Sequence, residues 1–260
     1  MFKAQQVMVQ TFCTAQLLGT RQYLNVYTDQ ESWEVGYASQ VQKDGDHGFV
    51  FCLSSVQARV RWKNLDGEIQ LCGSGAYAIA WYLNVCLGAP LEQLHSLHYP
   101  LQVYWEGEQL CLSLPNATFH EVSQWPGCTL YYDPNSGIYY LHLLTAEGLC
   151  ADDLALWAFL RKFPPESVHG FCVFVWNAQQ GFGELRYFTP MHGRNEDDVT
   201  GSVHRVLSPL IFQLYGVSQQ HWYQRSRRGG YVLSYQREGA TVLTGTCRLF
   251  SQQGVSQRQR

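Results

Sequence analysis

An internal repeat constrains the fold of this chain more than any other feature. Three landmarks recur in the same order, with offsets that grow from 122 (169−47) to 128 (201−73). They are His-Gly-Phe at His47 and His169, an arginine before an aromatic residue at Arg61 and Arg186, and a small-residue loop at Gly73 and Gly201. This pattern predicts two similar halves related by a pseudo-twofold axis. Each loop opens a predicted helix, so the two loops are expected to form one site, and a helix N-terminus binds small anions well.

The repeat divides the chain into two units of about 120 residues each, a usual domain size. The predicted N-terminal half covers 1–116 and the C-terminal half covers 117–239, because Pro115, Asn116 and the run 125–127 interrupt the pattern between them. A strand near 240–250 follows the second half and is expected to complete the first.

Both halves have the same predicted order: a hairpin, a helix, a strand pair, a small-residue loop and a second helix. Alternating apolar residues predict strands near 6–13, 22–28, 48–55, 58–63, 102–115, 169–176 and 184–189, a hairpin over 129–145, and two more strands within 230–250. Helical periodicity predicts helices over 32–43, 75–87, 151–163 and 201–215.

Composition and charge argue against several classes of protein. The net charge of −3 leaves no basic surface for nucleic acid. No stretch approaches the ~18 uninterrupted apolar residues of a membrane span, and the N-terminus is too rich in glutamine for a signal peptide. The nine cysteines are scattered without a Cys-x-x-Cys pair, which argues against a disulfide framework or a zinc site. We therefore expect a cytoplasmic protein with no membrane or nucleic-acid partner.

The first loop, Leu71-Cys72-Gly73-Ser74-Gly75-Ala76, combines a thiol with two glycines at the start of an apolar helix. Glycines let the backbone approach a ligand closely, and the first N–H groups of a helix have no partner within it. A thiol at a helix N-terminus is expected to have a lowered pKa, which favours the reactive thiolate. The alternative is a buried structural cysteine.

The second loop, 196–203, places Thr200, Gly201 and Ser202 before the next helix, where their hydroxyl and amide groups suit an oxyanion. The alternative is that Thr200 or Ser202 is an ordinary N-cap. The acidic run Glu196-Asp197-Asp198 either complements the helix dipole or contributes to the site. Pairing with the first loop favours the functional interpretation.

Asp46 precedes the strand that leads to the first loop, and a carboxylate there could transfer protons in a cleft between the halves. The alternative is a turn before that strand. His47 and His169 are interpreted as structural, because the second copy lacks a matching acidic neighbour. His192 and His204 are secondary candidates for contact with a ligand near the second loop.

These motifs resemble those of the PhzF-like phenazine-biosynthesis family, whose relatives include diaminopimelate epimerase and proline racemase. Residues 186–202 are similar to the family's Arg-x-Phe-x-Pro followed by Glu-Asp-Pro-x-Thr-Gly-Ser. The first loop resembles the family's Cys-Gly-His-Ala and the epimerases' Cys-Gly-Asn-Gly. Residues 9–12 and Gly19 follow the start of the family pattern more faintly, and the order of motifs agrees over nearly the whole chain.

The resemblance implies an α+β fold of the diaminopimelate epimerase type. Its two pseudo-symmetric halves would each be a curved mixed β-sheet, or barrel, wrapped around a central helix. The resemblance also implies a homodimer, and cofactor-independent proton transfer on a small carboxylate-containing metabolite bound between the halves. The substrate-binding residues would be those that match the two loop motifs: Gly73, Ser74, Gly75, Thr200, Gly201 and Ser202.

Several positions depart from the family pattern. The family's acid/base glutamate aligns with Asp46, and its loop histidine is replaced by Ser74. The epimerases have one cysteine in each half, but here only Cys72 remains, and the equivalent stretch of the second half contains Asp197 and Asp198. A symmetric two-thiol racemase is therefore not expected. The favoured hypothesis is an isomerase in which Asp46 or Cys72 is the base and Asp197 orients the substrate or assists the transfer. The alternative is a non-catalytic anion-binding member of the same fold.

Overall fold

The computed structural model describes residues 5–39, 41, 45–150, 168–189 and 196–250. The strands are β1 Gln5–Thr11, β2 Thr20–Tyr27, β3 Asp46–Cys52, β4 Gln57–Asn64, β5 Gly67–Ile69, β6 Gln93–His95, β7 Pro100–Glu106, β8 Gln109–Pro115, β9 His120–Trp125, β10 Cys128–Asp133, β11 Ile138–Leu143, β12 Gly170–Asn177, β13 Phe182–Phe188, β14 Gln219–Gln224, β15 Gly230–Arg237, β16 Ala240–Thr244 and β17 Cys247–Phe250. The α-helices within these ranges are α1 Gln30–Ala38, α2 Gly73–Trp81 and α3 His204–Tyr215. A π-helical turn, Tyr82–Cys86, continues α2, and a 3-10 turn covers Ala146–Cys150.

The order of parallel and antiparallel pairing repeats between the halves. In the first half β1–β2 is antiparallel, β2–β3 parallel, β3–β4 antiparallel and β4–β6 parallel, and β6, β7 and β8 follow antiparallel. Strands β10 to β16 repeat this series of pairings in the same order. The predicted α+β fold with two pseudo-symmetric halves is therefore confirmed, since the sequence repeat is also a repeat of sheet topology.

The last strands connect the two halves. Strand β16 pairs antiparallel with β15 of the second half and with β8 of the first, where Leu243 lies opposite Leu112. Strand β17 pairs antiparallel with β1. These pairings support the proposal that 240–250 completes a first half of 1–116, with the second half over 117–239.

A central helix lies in each half, behind its small-residue loop. Helix α2 is buried from Gly73 to Ala80 and packs against β1, β2, β3 and β8, as expected for a helix that is apolar on every side. Helix α3 is amphipathic and packs against β15 and β16, burying Val206, Leu207, Leu210 and Ile211. None of the helices in the described ranges is long and apolar enough to cross a membrane.

Several predicted element boundaries are wrong. The strand predicted over 102–115 is a hairpin of β7 and β8, because Gly107 has a positive φ of 59° and turns the chain. Helix α1 begins earlier than predicted, since Asp29 caps it by accepting a hydrogen bond from Ser32 N at 2.8 Å. The helix predicted over 151–163 lies outside the described residues.

Candidate functional site

The two small-residue loops lie in direct contact. A methyl group added to Gly73 would lie 2.7 Å from the carbonyl carbon of Gly201 and from the nitrogen of Ser202. A methyl group added to Gly201 would lie 2.8 Å from the carbonyl carbon of Gly73 and from the nitrogen of Ser74. Side chains cannot approach a backbone this closely, so both positions require glycine. The reciprocal contacts bring the two loops together, as the pseudo-twofold axis predicts.

Cys72 is the N-cap of α2, and its sulfur lies beside two polar side chains. The Sγ atom accepts a hydrogen bond from Gly75 N at 3.2 Å, in a position where Ser, Thr, Asp or Asn is usual. It lies 3.5 Å from Ser74 Oγ and 3.7 Å from Asp46 Oδ2. The two candidate bases, the Cys72 thiol and the Asp46 carboxylate, are therefore neighbours.

The prediction of a lowered thiol pKa at Cys72 is wrong. Burial raises the pKa of this thiol well above its usual value, and the carboxylates of Asp46 and Asp197 raise it further. The hydrogen bonds from Ser74 and Gly75 oppose this rise without outweighing it. A helix dipole is worth about 0.3–1 kcal/mol at an exposed end, less than the desolvation of a fully buried charge. The Cys72 thiol is therefore protonated at neutral pH.

Gln22 of β2 also belongs to this group of side chains, although it lies in none of the sequence motifs. Its Nε2 atom donates to Asp46 Oδ2 at 3.3 Å and to Ser74 Oγ at 3.2 Å, while its Oε1 atom accepts from Cys72 Sγ at 3.8 Å. Its side chain is fully buried. The only available signal was its position on a predicted strand, which does not reveal what the side chain faces.

Asp197 and Thr200 of the second loop form a hydrogen-bonded group with Gln224, as Asp46, Cys72 and Gln22 do at the first loop. Thr200 Oγ1 donates to Asp197 Oδ2 at 2.5 Å, and Thr200 N donates to Gln224 Oε1 at 2.8 Å. Gln224 Nε2 donates to the carbonyl oxygen of Asp197 at 2.9 Å. The N-cap interpretation of Thr200 and Ser202 is wrong, because Val203 is the N-cap of α3 and has no capping side chain.

An arginine–glutamate pair stands behind each loop. Arg61 donates to both carboxylate oxygens of Glu68 at 2.8 Å, and Arg186 donates to those of Glu196 at 2.7 and 3.1 Å. The two glutamates are 128 residues apart (196−68), the same offset as the loop glycines. The first bidentate pair joins β4 to β5, which ends just before the first loop, and the second joins β13 to the start of the second loop. The repeat therefore extends to this pair, which the motifs alone did not reveal.

A cavity of about 530 Å³ opens over the two loops. The predicted site residues that line it are Asp46, Cys72, Gly73, Ser74, Asp197, Thr200, Gly201 and Ser202. Gly75 does not line it, because its amide donates to Cys72 and its Cα faces the indole nitrogen of Trp62. Among the residues that the structure describes, no group of three or more His, Cys, Asp or Glu side chains could hold a metal ion.

The histidine that lines the cavity is not one of those predicted to contact a ligand. His47 is buried and stacks on Tyr23, with ring centroids 4.8 Å apart, as a structural histidine would. His204 is also buried and meets the ring of Trp222 edge-on, so it does not reach the cavity. His169, by contrast, is exposed and lines the cavity. His192 lies outside the described residues.

Comparison with known proteins identifies relatives over most of the chain. An uncharacterized isomerase of Pseudomonas aeruginosa is 27% identical over 227 residues, which cover 81% of this chain and 78% of that protein. A second uncharacterized isomerase of the same organism is 31% identical over 187 residues, 66% of this chain and 67% of that protein. A phenazine biosynthesis-like domain-containing protein of Pongo abelii is 44% identical over 62 residues, 24% of this chain and 22% of that protein. No protein-family model matches the chain.

Solved structures share the fold over nearly the full length. A phenazine biosynthesis protein of the PhzF family from Enterococcus faecalis superposes with a TM-score of 0.74 at 21% identity, covering 95% of this chain and 97% of that one. A hydroxyproline epimerase from Agrobacterium vitis, with bound trans-4-hydroxy-L-proline, superposes with a TM-score of 0.62 at 11% identity, covering 96% and 90%. The sequence relatives and the shared fold together establish that the chain belongs, as a divergent member, to the PhzF-like phenazine-biosynthesis family.

Proposed function

We propose that the protein is a cofactor-independent isomerase that moves a proton on a small carboxylate substrate bound between its two halves. The observation that carries this proposal is the 3.7 Å contact between Asp46 Oδ2 and Cys72 Sγ, at the edge of a cavity that Asp197 and both glycine loops also line. General acid–base catalysis needs a proton acceptor and a proton donor within reach of the same reacting group. A carboxylate beside a protonated thiol supplies both.

In the proposed reaction Asp46 is the base. Its carboxylate takes a proton from a substrate carbon, and the electron pair of the broken C–H bond moves into the enolate of the substrate. The Cys72 thiol then gives its proton to a second substrate carbon, where the new C–H bond forms. The resulting thiolate recovers a proton from the Asp46 carboxylic acid across the 3.7 Å contact. Both side chains return to their starting state, and no electrons enter or leave.

The backbone of the two loops would stabilise the charge that develops on the substrate. The N–H groups at the start of α2, at Gly73 and Ser74, have no partner within the helix. With those of Gly201 and Ser202 they would hold the substrate carboxylate, and donors aimed at developing charge are often the largest catalytic term. Asp197, held by Thr200 Oγ1 at 2.5 Å, would orient the substrate from the second half.

Two considerations favour this hypothesis over a non-catalytic anion-binding member. The two Pseudomonas aeruginosa relatives are named as isomerases, and a structural neighbour is named as an epimerase. A protein that only bound anions would also gain nothing from Asp46, because a second negative charge beside the ligand weakens binding. A role as the catalytic base explains why the Asp46 carboxylate lies next to the substrate site.

We also propose a cytoplasmic location, from the sequence alone, and a homodimer, from the family resemblance alone. Light scattering after size-exclusion chromatography tests the dimer, since the chain has a mass of 29.7 kDa. A monomer mass at micromolar concentration would contradict it.

The reaction is tested by incubating the protein in heavy water with a small-metabolite extract of its host and reading products by mass spectrometry. We expect at least one carboxylate metabolite to gain deuterium or change its retention time with the wild-type protein. Asp46→Asn and Cys72→Ser should lower the rate of that change by about 100-fold or more, as loss of a general acid or base does. Serine keeps the N-cap of α2 while removing the thiol.

Matched controls separate chemistry from folding. Asp29→Asn replaces an exposed aspartate by another good N-cap residue, and Cys86→Ser replaces an exposed cysteine. Both should keep the wild-type rate. The proposal is wrong if Asp46→Asn and Cys72→Ser also keep it on the substrate that the wild type converts.

A further inference from the structure

Arg205 lies in the first turn of α3 and lines the cavity beside the second loop. Its Nε atom donates to the carbonyl oxygen of Pro115 at 2.7 Å, and its guanidinium lies 5.0 Å from the ring centre of Tyr99. These contacts hold the group in one orientation at the cavity wall.

The helix itself does not favour a cation at this position. The N-terminal end of a helix carries a partial positive charge, so a basic residue in the first turn is unfavourable. No acidic residue in the first turn of α3 compensates it. Within the described residues Arg205 also makes no ion pair with a carboxylate, unlike Arg61 and Arg186. No carboxylate of the described residues therefore neutralises its charge.

Four of the five described carboxylates that line the cavity, all except that of Asp66, accept hydrogen bonds from other groups of the protein, Asp46 from Gln22. Glu68 receives both hydrogen bonds of Arg61, and Asp197 accepts from Thr200 Oγ1. Asp133 accepts from Asn135 N at 2.9 Å and from Ser136 Oγ at 2.6 Å. Among the described residues that line the cavity, Arg205 is the only arginine or lysine.

The cavity is also larger than one small carboxylate needs. Its volume of about 530 Å³ lies in the range of roughly 300–1,000 Å³ that holds a drug-sized ligand. Arg205 follows Ser202 by three residues, so its Cα lies roughly 5 Å farther along the helix axis than the loop. A ligand whose first carboxylate is bound at the loops could therefore extend a second group to this guanidinium.

We propose that Arg205 binds a second anionic group of the substrate, remote from the reacting carbon, so that the substrate class is a dianion with two separated acidic groups. This inference rests on the proposed function for the first carboxylate. A guanidinium donates two parallel hydrogen bonds to a carboxylate or to a phosphate, and the two differ in the charge that they bring. Arg205 is then a specificity-determining residue, and the loops alone hold the group next to the reaction.

Isothermal titration calorimetry with unreactive probes tests the inference without knowledge of the substrate. The probes are succinate, glutarate and adipate, each compared with the monocarboxylate of equal chain length: butyrate, valerate and hexanoate. 3-Phosphonopropionate replaces one carboxylate by a phosphonate and distinguishes the two anions. We expect at least one dianion to bind about tenfold or more tightly than its monocarboxylate match, because a hydrogen bond between charged groups strengthens binding by about this factor.

Variants of Arg205 then show whether this residue is responsible for the tighter binding of dianions. Arg205→Gln should abolish the preference for dianions and leave monocarboxylate affinity unchanged, while Arg205→Lys, which keeps the charge but loses the planar fork, should retain part of it. Asn116→Ala is the control for a merely structural role. Asn116 bonds to Gln236 at 2.8 Å next to the Pro115 carbonyl, so its loss loosens the same segment without altering charge at the cavity.

Each outcome decides one of the two proposals. Equal binding of dianions and monocarboxylates to the wild type, or a preference that survives Arg205→Gln, overturns the role of Arg205 and leaves the loops as the carboxylate site. A preference lost equally in Asn116→Ala also overturns it, because the contact with Pro115 would then be the cause. Absence of binding by every probe overturns the carboxylate site of the proposed function itself.

Discussion

The amide of Gln22 directs its donor at Asp46 and its acceptor at Cys72, with the side chain fully buried between them. A buried amide that satisfies both partners holds them at a fixed separation, and proton transfer is sensitive to that separation. We therefore expect Gln22 to act as a positioning residue that does not itself exchange protons. Its contribution is to keep the carboxylate and the thiol adjacent.

The substitution Gln22→Leu tests this role on an identified substrate. We expect kcat to fall by about 100-fold with little change in KM, because the loops that hold the substrate are intact. Gln220→Leu is the matched control: Gln220 is equally buried and donates to the carbonyl oxygens of Ser208 and Val217. Both variants should lose about 1–3 kcal/mol of stability. An equal fall in kcat for the control would show that loosened packing, and not positioning, is responsible.

Cys72 should be a slow thiol at neutral pH. Only the thiolate reacts with iodoacetamide, and burial with the nearby Asp46 carboxylate raises the pKa of this thiol. Peptide mass spectrometry after timed labelling at pH 7.5 should show Cys72 reacting at least about tenfold more slowly than the exposed Cys52 and Cys86. Its rate should still rise with pH where the rates of Cys52 and Cys86 have levelled off, because burial raises the pKa of its thiol further than theirs. A Cys72 that labels first would contradict the protonated thiol and the acid role proposed for it.

The raised pKa of Cys72 also has a consequence for stability. The pKa of Cys72 is higher in the folded protein than in the unfolded chain, where it is about 8.5. The thiol therefore stabilises the folded state fully below about pH 8.5, and this stabilisation is lost as the pH rises further. Cys72→Ser should therefore reduce the loss of stability between pH 8.5 and 10. Chemical denaturation at each pH measures the difference.

The contact between the two loops depends on glycine at both positions. Gly73→Ala places a methyl group 2.7 Å from the backbone of Gly201, which must move because backbone cannot rotate aside. We expect this change to lower the free energy of unfolding by at least about 3 kcal/mol, the upper range of overpacking. Gly107→Ala in the β7–β8 turn is the control, since its φ is 59° and its surroundings are open. That control should cost only about 1–2 kcal/mol. Equal losses in urea denaturation would mean that the loops can separate freely.

Helix α3 begins with a histidine that makes the fold sensitive to acid. Both ring nitrogens of His204 lack a hydrogen-bond partner, and burial lowers its pKa to about 3. The folded protein keeps the imidazole neutral where the unfolded chain protonates it, so this contribution is complete above pH 6.5 and is lost toward pH 3. The loss amounts to about 1.4 kcal/mol per pH unit.

The substitution His204→Phe removes that titration and keeps an aromatic ring beside Trp222. The slope of unfolding free energy against pH, measured by urea denaturation between pH 6 and 4, should become shallower by about 1.4 kcal/mol per unit. His98→Gln, at an exposed histidine, should leave the slope unchanged. An unchanged slope in His204→Phe would place the acid sensitivity elsewhere, for example at His142, whose pKa burial lowers to about 4.

Across the whole molecule, β16 joins the two halves into one sheet, because it pairs with β8 on one side and with β15 on the other. The two halves therefore cannot open without breaking a continuous ladder of backbone hydrogen bonds. The site depends on this connection, since one glycine loop comes from each half. We expect the halves to unfold together.

Leu243→Ala tests this expectation at the shared strand. Leu243 is fully buried in β16, so the change should cost about 2–5 kcal/mol and move one cooperative transition. Far-UV circular dichroism and tryptophan fluorescence should give coincident curves, as two-state unfolding requires. Leu97→Ala, at a leucine that is 57% exposed, should change stability by no more than about 0.5 kcal/mol. Two separate transitions would mean that the halves are independent units.

The fold and most candidate residues could be predicted because they depend on local and repeated patterns. The offset between Gly73 and Gly201, the small residues around them and the family motifs predict paired loops before two helices. Strand alternation predicts most of the sheet, and it fails where a single glycine decides a turn, as at Gly107. These features belong to short stretches of chain, so the sequence carries them directly.

Only the tertiary structure decided the chemistry of the site. Gln22 lies 24 residues from Asp46, 50 from Cys72 and 52 from Ser74 along the chain, so no local pattern announces their contact. The protonation of Cys72 depends on burial and on Asp46, and these outweigh the helix end that the sequence does reveal. The sequence by itself determined which residue types reach the two loops. Folding brings these residues together from remote segments of the chain. Their protonation states then depend on desolvation and on the distances to neighbouring charges, which only the tertiary structure sets.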